Sequence, residues 1–128
     1  MRVLLDTHTL LWAADNQAQL SPAARVALQD PANDLLLSAA SVWEIAIKVG
    51  LGKLTLSCQY RDWMNQAIAD LGLGLLPITV EYADSQASLP LHHRDPFDRL
   101  LVAQALVEGV PIVSSDAHLD PYGVNRIW

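Results

Sequence analysis

Short apolar runs alternate along this chain with longer stretches in which apolar residues recur at helical spacing. Arg2 to Leu5 is an apolar run of strand type, and Thr7 to Ala14 carries Leu10, Leu11 and Ala14 on one side of a predicted helix, with Asp6 at the junction. Ser21-Pro22 supplies an N-cap hydroxyl and a proline suited to the first helical position, which predicts a helix from Pro22 to Gln29. Leu35 to Leu37 reads as the next strand. Ser38 or Ser41 can cap a helix running to about Val49, where Gly50-Leu51-Gly52 ends it. Gln59 to Asp70 is amphipathic, Leu73 to Pro77 is short enough for a strand, and Thr79 opens a helix reaching Ser88. After a loop from Leu89 to Arg94, Asp95-Pro96 starts a helix that extends to Glu108 and is closed by Gly109. Pro111 to Ser114 and Val124 to Trp128 are the last strands, the second at a sheet edge. Strands alternating with helices predict an α/β fold: a three-layer α/β/α sandwich around a central, mostly parallel sheet.

Composition narrows the setting. With 128 residues the chain is expected to be a single domain, residues 1–128, on one core. Hydrophobic residues make up 52% and the mean hydropathy is +0.21, high for a small soluble monomer, so part of the apolar content is expected to cover a homodimer or partner interface. The apolar start at Met1 to Leu5 is broken by Asp6 and His8, and no run is long enough to span a membrane, so a soluble, cytoplasmic protein is expected. Cys58 is the only cysteine, which excludes an intramolecular disulfide and a Cys-rich zinc site. A net charge of −6 speaks against simple electrostatic capture of nucleic acid.

Against this background four acids stand out. Asp6, Glu44, Asp98 and Asp116 each lie in or at the end of an otherwise apolar segment, where an ionised group needs a partner. Eight Lys plus Arg cannot pair with all fourteen Asp plus Glu, which makes a bound divalent cation an attractive explanation. In an open α/β sheet the functional crevice lies beyond the carboxyl ends of the strands, and the predicted topology directs all four acids to that edge. Hard oxygen ligands select Mg²⁺ or Mn²⁺ over zinc, and such a site suits phosphodiester hydrolysis by an activated water.

Each acid also has a plain structural role open to it. Asp98 can be the N3 partner of an Asp95 N-cap, and Ser41-Val42-Trp43-Glu44 has the capping-box pattern, with Glu44 also four residues before Lys48. Asp116 could cap a turn at Ala117-His118-Leu119, and Asp6 could cap the first helix. Chance caps need not all fall on one edge of a sheet.

Four stretches carry a resemblance: Leu4-Leu5-Asp6-Thr7-His8, Ser41-Val42-Trp43-Glu44-Ile45-Ala46-Ile47-Lys48, His93-Arg94-Asp95-Pro96-Phe97-Asp98-Arg99-Leu100-Leu101 and Val113-Ser114-Ser115-Asp116. In order and separation they resemble the PIN-domain family, and more narrowly the VapC-type toxin ribonucleases of toxin–antitoxin pairs, over nearly the whole chain. The resemblance implies that Asp6, Glu44, Asp98 and Asp116 are the acidic metal-binding and catalytic quartet. Ser114 falls where the family often has a Thr or Ser near the metal, and Thr7 is expected to assist Asp6. The implied activity is a metal-dependent endoribonuclease acting on RNA. The implied partner is a small antitoxin whose C-terminal segment wraps the domain, often placing a basic residue in the acidic pocket.

The remaining residues divide less cleanly. Asp95 reads as the N-cap of its helix, with a supporting role at the metal as the alternative. Lys48, Lys53, Arg94 and Arg99 either line the crevice rim, with Lys48, Arg94 and Arg99 as substrate contacts, or are ordinary surface charge. His8, His92, His93 and His118 lack a tight ligand spacing; His93 and Arg94, beside the Asp95 helix start, could contact phosphate, with a solvated loop as the preferred reading for His92 and His93. Trp12, Trp43 and Trp63 sit in helical apolar patterns as core or interface residues. Two other functions compete: a non-catalytic partner-binding module, and an aspartate-dependent phosphatase with Asp6 as nucleophile. The phosphatase is weakened because position 8 is His rather than the second Asp of an Asp-x-Asp pair.

Overall fold

The computed structural model describes residues 1–128. Its sheet has five strands, β1 (Arg2–Leu5), β2 (Asp34–Ser38), β3 (Gly74–Leu76), β4 (Ile112–Val113) and β5 (Arg126–Ile127), in the order β3-β2-β1-β4-β5. Every pairing is parallel, so the expected mostly parallel sheet is wholly so.

The helices are α1 (Thr7–Asp15), α2 (Pro22–Gln29), α3 (Ala39–Gly50), α4 (Tyr60–Leu71), α5 (Val80–Ala87) and α6 (Pro96–Glu108). Two 3₁₀ segments that apolar periodicity did not predict, Gln17–Gln19 and Ala117–Tyr122, follow α1 and β4. None of the helices is long and apolar enough to cross a membrane.

Strand alternation builds the layers. Val3, Leu5, Leu35, Leu37 and Val113 share one core with Leu10 of α1, Ala24 of α2, Ile45 of α3 and Trp63 and Met64 of α4. Leu4, Leu36 and Ile112 point to the opposite face and pack with Leu101, Val102 and Ala105 of α6. Each of the fully buried leucines contributes about 1.5–3 kcal/mol of burial free energy. α6 is buried along Leu100–Ala105 because α5 covers the side turned away from the sheet, where Leu100 meets Tyr82. Gly109 ends it in the left-handed region, at φ 64°.

Three expectations change. The cap of α3 is Ser38, whose hydroxyl accepts from Ala40 N–H, so Ser41 lies inside the helix and forms no capping box with Glu44. The inward side of α1 carries Leu10 and Ala13, while Ala14 is exposed, because the helix turns its i and i+3 positions to the sheet. Trp43 is not a core residue: it is 60% exposed and meets Phe97 edge-to-face, whereas Trp63 is buried and Trp12 packs on Trp128.

Candidate active site

β1 is the point where the sheet order reverses, since the chain first adds β2 and β3 on one side and later β4 and β5 on the other. The crevice of such a sheet opens at that reversal, beyond the strand ends. Asp6 directly follows β1, α3 with Glu44 leaves the end of β2, and Ser114 to Asp116 follow β4.

Asp6 is 4% exposed and caps α1, with Oδ1 accepting from Thr9 N–H at 2.7 Å, the one hydrogen bond its side chain makes. Its own N–H donates to Val113 O, which also accepts from Thr9 Oγ1 at 2.8 Å. Thr9 therefore locks α1 to β4 and fixes Asp6 between them. Nothing in the sequence pattern singled it out, because a threonine in a helix pattern carries no long-range signal.

Glu44 is equally buried and has both oxygens engaged. Thr7 Oγ1 donates to Oε1 at 2.7 Å, with the Ser41 hydroxyl 3.0 Å from Thr7, and Lys48 Nζ donates to Oε2 at 2.6 Å. The hydrogen bond to Glu44 raises the Lys48 pKa, against the burial that lowers it. Thr7 thus serves Glu44 rather than Asp6.

Asp98 stands in the first turn of α6 and has its pKa pushed up to about 7. Burial is the largest cause, followed by repulsion from Asp95, and by Glu44 and Asp6, while His93 opposes the shift. Asp98 makes no capping box: Asp95 caps α6 through Phe97 N–H, and its own N–H goes to His93 Nδ1 at 3.1 Å.

Asp116 is bracketed by imidazoles. Oδ2 lies 2.9 Å from His93 Nε2, and Oδ1 accepts from His118 N–H and meets His118 Nδ1, each at 2.9 Å. Burial works to raise its pKa, but these hydrogen bonds from His118 and His93 prevail and hold it below the usual carboxylate value. Ser114, fully buried, braces the turn by accepting from Asp116 N–H at 3.0 Å.

His93 is therefore not a residue of a solvated loop. Its Nε2 also lies 3.4 Å from Asp98, and the ligand atoms of His93, Asp98 and Asp116 fall within 4.8 Å of one another. A metal ligand would need the Nε2 lone pair. Since Nδ1 already accepts the Asp95 N–H, the ring proton sits on Nε2, and His93 bridges the two carboxylates as a donor.

The cationic residues separate. Lys48 feels Asp95 and Asp98 as well as Glu44, in keeping with a place at the crevice. Arg99 does not line the rim: it donates to Gln86 O at 3.3 Å and Leu89 O at 3.0 Å and braces the α5–α6 connection. Arg94 is exposed and opens, with His92, His93 and His118, onto a pocket of about 220 Å³ beside Asp116. Two larger cavities, of about 350 and 420 Å³, contain none of these residues.

The donor set suits a hard divalent cation. Carboxylate oxygens dominate, with those of Asp98 and Asp116 within 4.8 Å of each other, and burial followed by neighbouring acids raises the Asp98 pKa.

Residues 3–124 match the PIN domain. Ribonuclease VapC22 of Mycobacterium tuberculosis (strain ATCC 25618 / H37Rv) is 30% identical over 118 residues, 91% of this chain and 88% of its own length. Among solved structures, VapBC2 from Rickettsia felis bound to a promoter DNA fragment aligns with a TM-score of 0.74 at 13% identity, covering 98% of this chain and 97% of the other. FitAcB from Neisseria gonorrhoeae aligns with a TM-score of 0.66 at 20% identity, covering 97% and 95%. The structural matches carry the fold.

Proposed function

The chain belongs to the PIN-domain family, and from that premise we propose that it is a metal-dependent endoribonuclease serving as the toxin of a toxin–antitoxin pair. The observation that carries this reading is the acidic group beyond the strand ends, where the ligand atoms of Asp98, Asp116 and His93 lie within 4.8 Å of one another, Asp6 and Glu44 are buried near the starts of their helices, and the Asp98 carboxyl is pushed up to about 7. A site that gathers acids at that cost to the metal-free protein suits a cation that offsets it. The name of the VapC22 relative supplies the activity, and the VapBC and FitAB complexes among the structural neighbours suggest a small antitoxin as partner.

In this reading Asp6, Glu44, Asp98 and Asp116 hold Mg²⁺ or Mn²⁺. An ion held there would supply Lewis-acid activation of a water and would neutralise charge on the phosphodiester. The residues of the chain position and orient. Thr9 holds one oxygen of Asp6 and leaves the other without a partner in the chain. Thr7 fixes Glu44, and Lys48 balances its charge. His93 holds Asp116 against Asp98, and Ser114 sets the turn that presents Asp116. Exposed apolar side chains, among them Trp43, Leu51 and Val80, offer surface to an antitoxin or a second copy.

Asp6→Asn tests the reading cleanly, because asparagine also caps helices and the fold is retained. Cleavage of single-stranded RNA with Mn²⁺ should fall by more than about 100-fold while the melting curve of the metal-free protein barely moves. Activity persisting in this variant would remove Asp6 from the site and the present reading with it.

A further inference from the structure

An acidic protein that cuts RNA must still hold the phosphates on either side of the scissile one. Of the eight cationic side chains, Arg2, Arg25, Lys48, Arg99 and Arg126 are engaged within the chain, leaving Lys53, Arg61 and Arg94 without an internal ion pair or hydrogen bond. Arg94 is the one of these three that lines the pocket walled by His92, His93 and His118. That pocket has no hydrophobic lining residue, and His93 and His118 are the groups that bind the two oxygens of Asp116.

The loop that carries Arg94 is fixed. Tyr122 Oη accepts from His92 N–H at 3.0 Å and from His93 N–H at 2.8 Å, its ring meets the His92 ring edge-on at 5.0 Å, and Asp95 N–H anchors the His93 ring. Arg94 therefore extends from a backbone held on both sides, with its guanidinium uncommitted. A planar guanidinium presents paired donors that match phosphate oxygens, and exposed imidazole faces offer surfaces on which an unpaired base can rest.

We propose that the pocket of His92, His93, Arg94 and His118 is a nucleotide subsite, in which Arg94 takes the RNA phosphate next to the scissile one. The subsite rests on the ribonuclease reading above and extends it. Asp116 touches both regions, since its oxygens meet His93 and His118 of the pocket and His93 also reaches Asp98 of the acidic site. An RNA strand leaving the acidic crevice past Asp116 passes from a region that needs a cation to one that provides its own.

The test is the salt dependence of binding to a short single-stranded RNA, with Ca²⁺ as the bound ion, measured by fluorescence anisotropy. Each phosphate neutralised on a single strand contributes about 0.7 to the slope of log K against log salt. Arg94→Gln should make the slope less negative by about 0.7 and weaken binding roughly tenfold. Arg94→Lys should keep the slope and lose part of the affinity. Arg61→Gln, which changes net charge equally at an exposed position on α4, should leave the slope unchanged. A slope unaltered in Arg94→Gln, or altered equally in Arg61→Gln, would overturn the subsite while RNA cleavage by the unmodified protein left the ribonuclease reading standing. If the unmodified protein neither bound nor cut RNA, that reading would fall and the subsite with it.

Discussion

Asp98 places a partly buried acid among like charges, and its titration has a sign that can be worked out. In the unfolded chain the carboxyl has its ordinary pKa of 3.8, and in the fold about 7. Near pH 4 it is protonated when folded and costs little. Between about pH 4 and about pH 7 the unfolded chain gives up this proton freely while the fold still holds it, so stability falls over that interval and levels off once the folded carboxyl ionises. With 24% of the side chain exposed, the loss for metal-free protein between about pH 4 and about pH 8 is of the order of 4 kcal/mol at most. Urea denaturation across that window should show the decline, and Asp98→Asn should flatten it; a variant that declined in parallel would place the titration elsewhere. The four acids drew attention in the sequence because each lies in or at the end of an apolar segment, and the burial of Asp6 and Glu44 follows from that placement. His93 and Thr9 were not. One sits in a polar loop and the other in an ordinary helix pattern, and their roles come from Asp116, Asp95 and Val113, which only tertiary contact brings near.

The start of α6 couples helix capping to the charge of the site. Asp95 both accepts from Phe97 N–H and, after burial, contributes most to the raised pKa of Asp98. Asp95→Ala should cost about 1 kcal/mol through loss of the cap, whereas Asp95→Asn should keep the cap. Both should lower the Asp98 pKa, so carboxyl titration followed by NMR should move in both variants and the melting temperature should drop in one. The existence and order of all six helices and five strands were readable from periodicity, caps and glycines. The placement of α3 was not fully so, because Ser38 and Ser41 are both competent caps. Ser38 caps it, and the helix then starts early enough to turn Ser41 and Glu44, three residues apart, toward Thr7. β4 and β5 pair over two residues each, fewer than their apolar runs suggested, because the turn to Asp116 begins at once.

The molecule as a whole carries a net charge of −6, and binding a divalent cation should stabilise it by mass action as well as by relief of repulsion. At a concentration 100 times the dissociation constant, Mn²⁺ should add about 2.7 kcal/mol, a rise of several degrees in melting temperature for a chain of this size. Asp6→Asn should respond less, and no shift in the unmodified protein at any concentration would count against a formed site. The sheet also sets when such a site can exist. β1 pairs on one side with β2 and on the other with β4, so that Leu4 lies beside Ile112, near the other end of the chain. Until β4 has been synthesised, Val113 is not there to hold Asp6 and Thr9, α6 has no completed sheet to lie on, and Asp116 has not been made. Asp6 and Glu44 are linked through Thr7 by the pairing of β1 with β2, and Asp116 joins them only when β4 pairs with β1, a nonlocal step that comes late in folding.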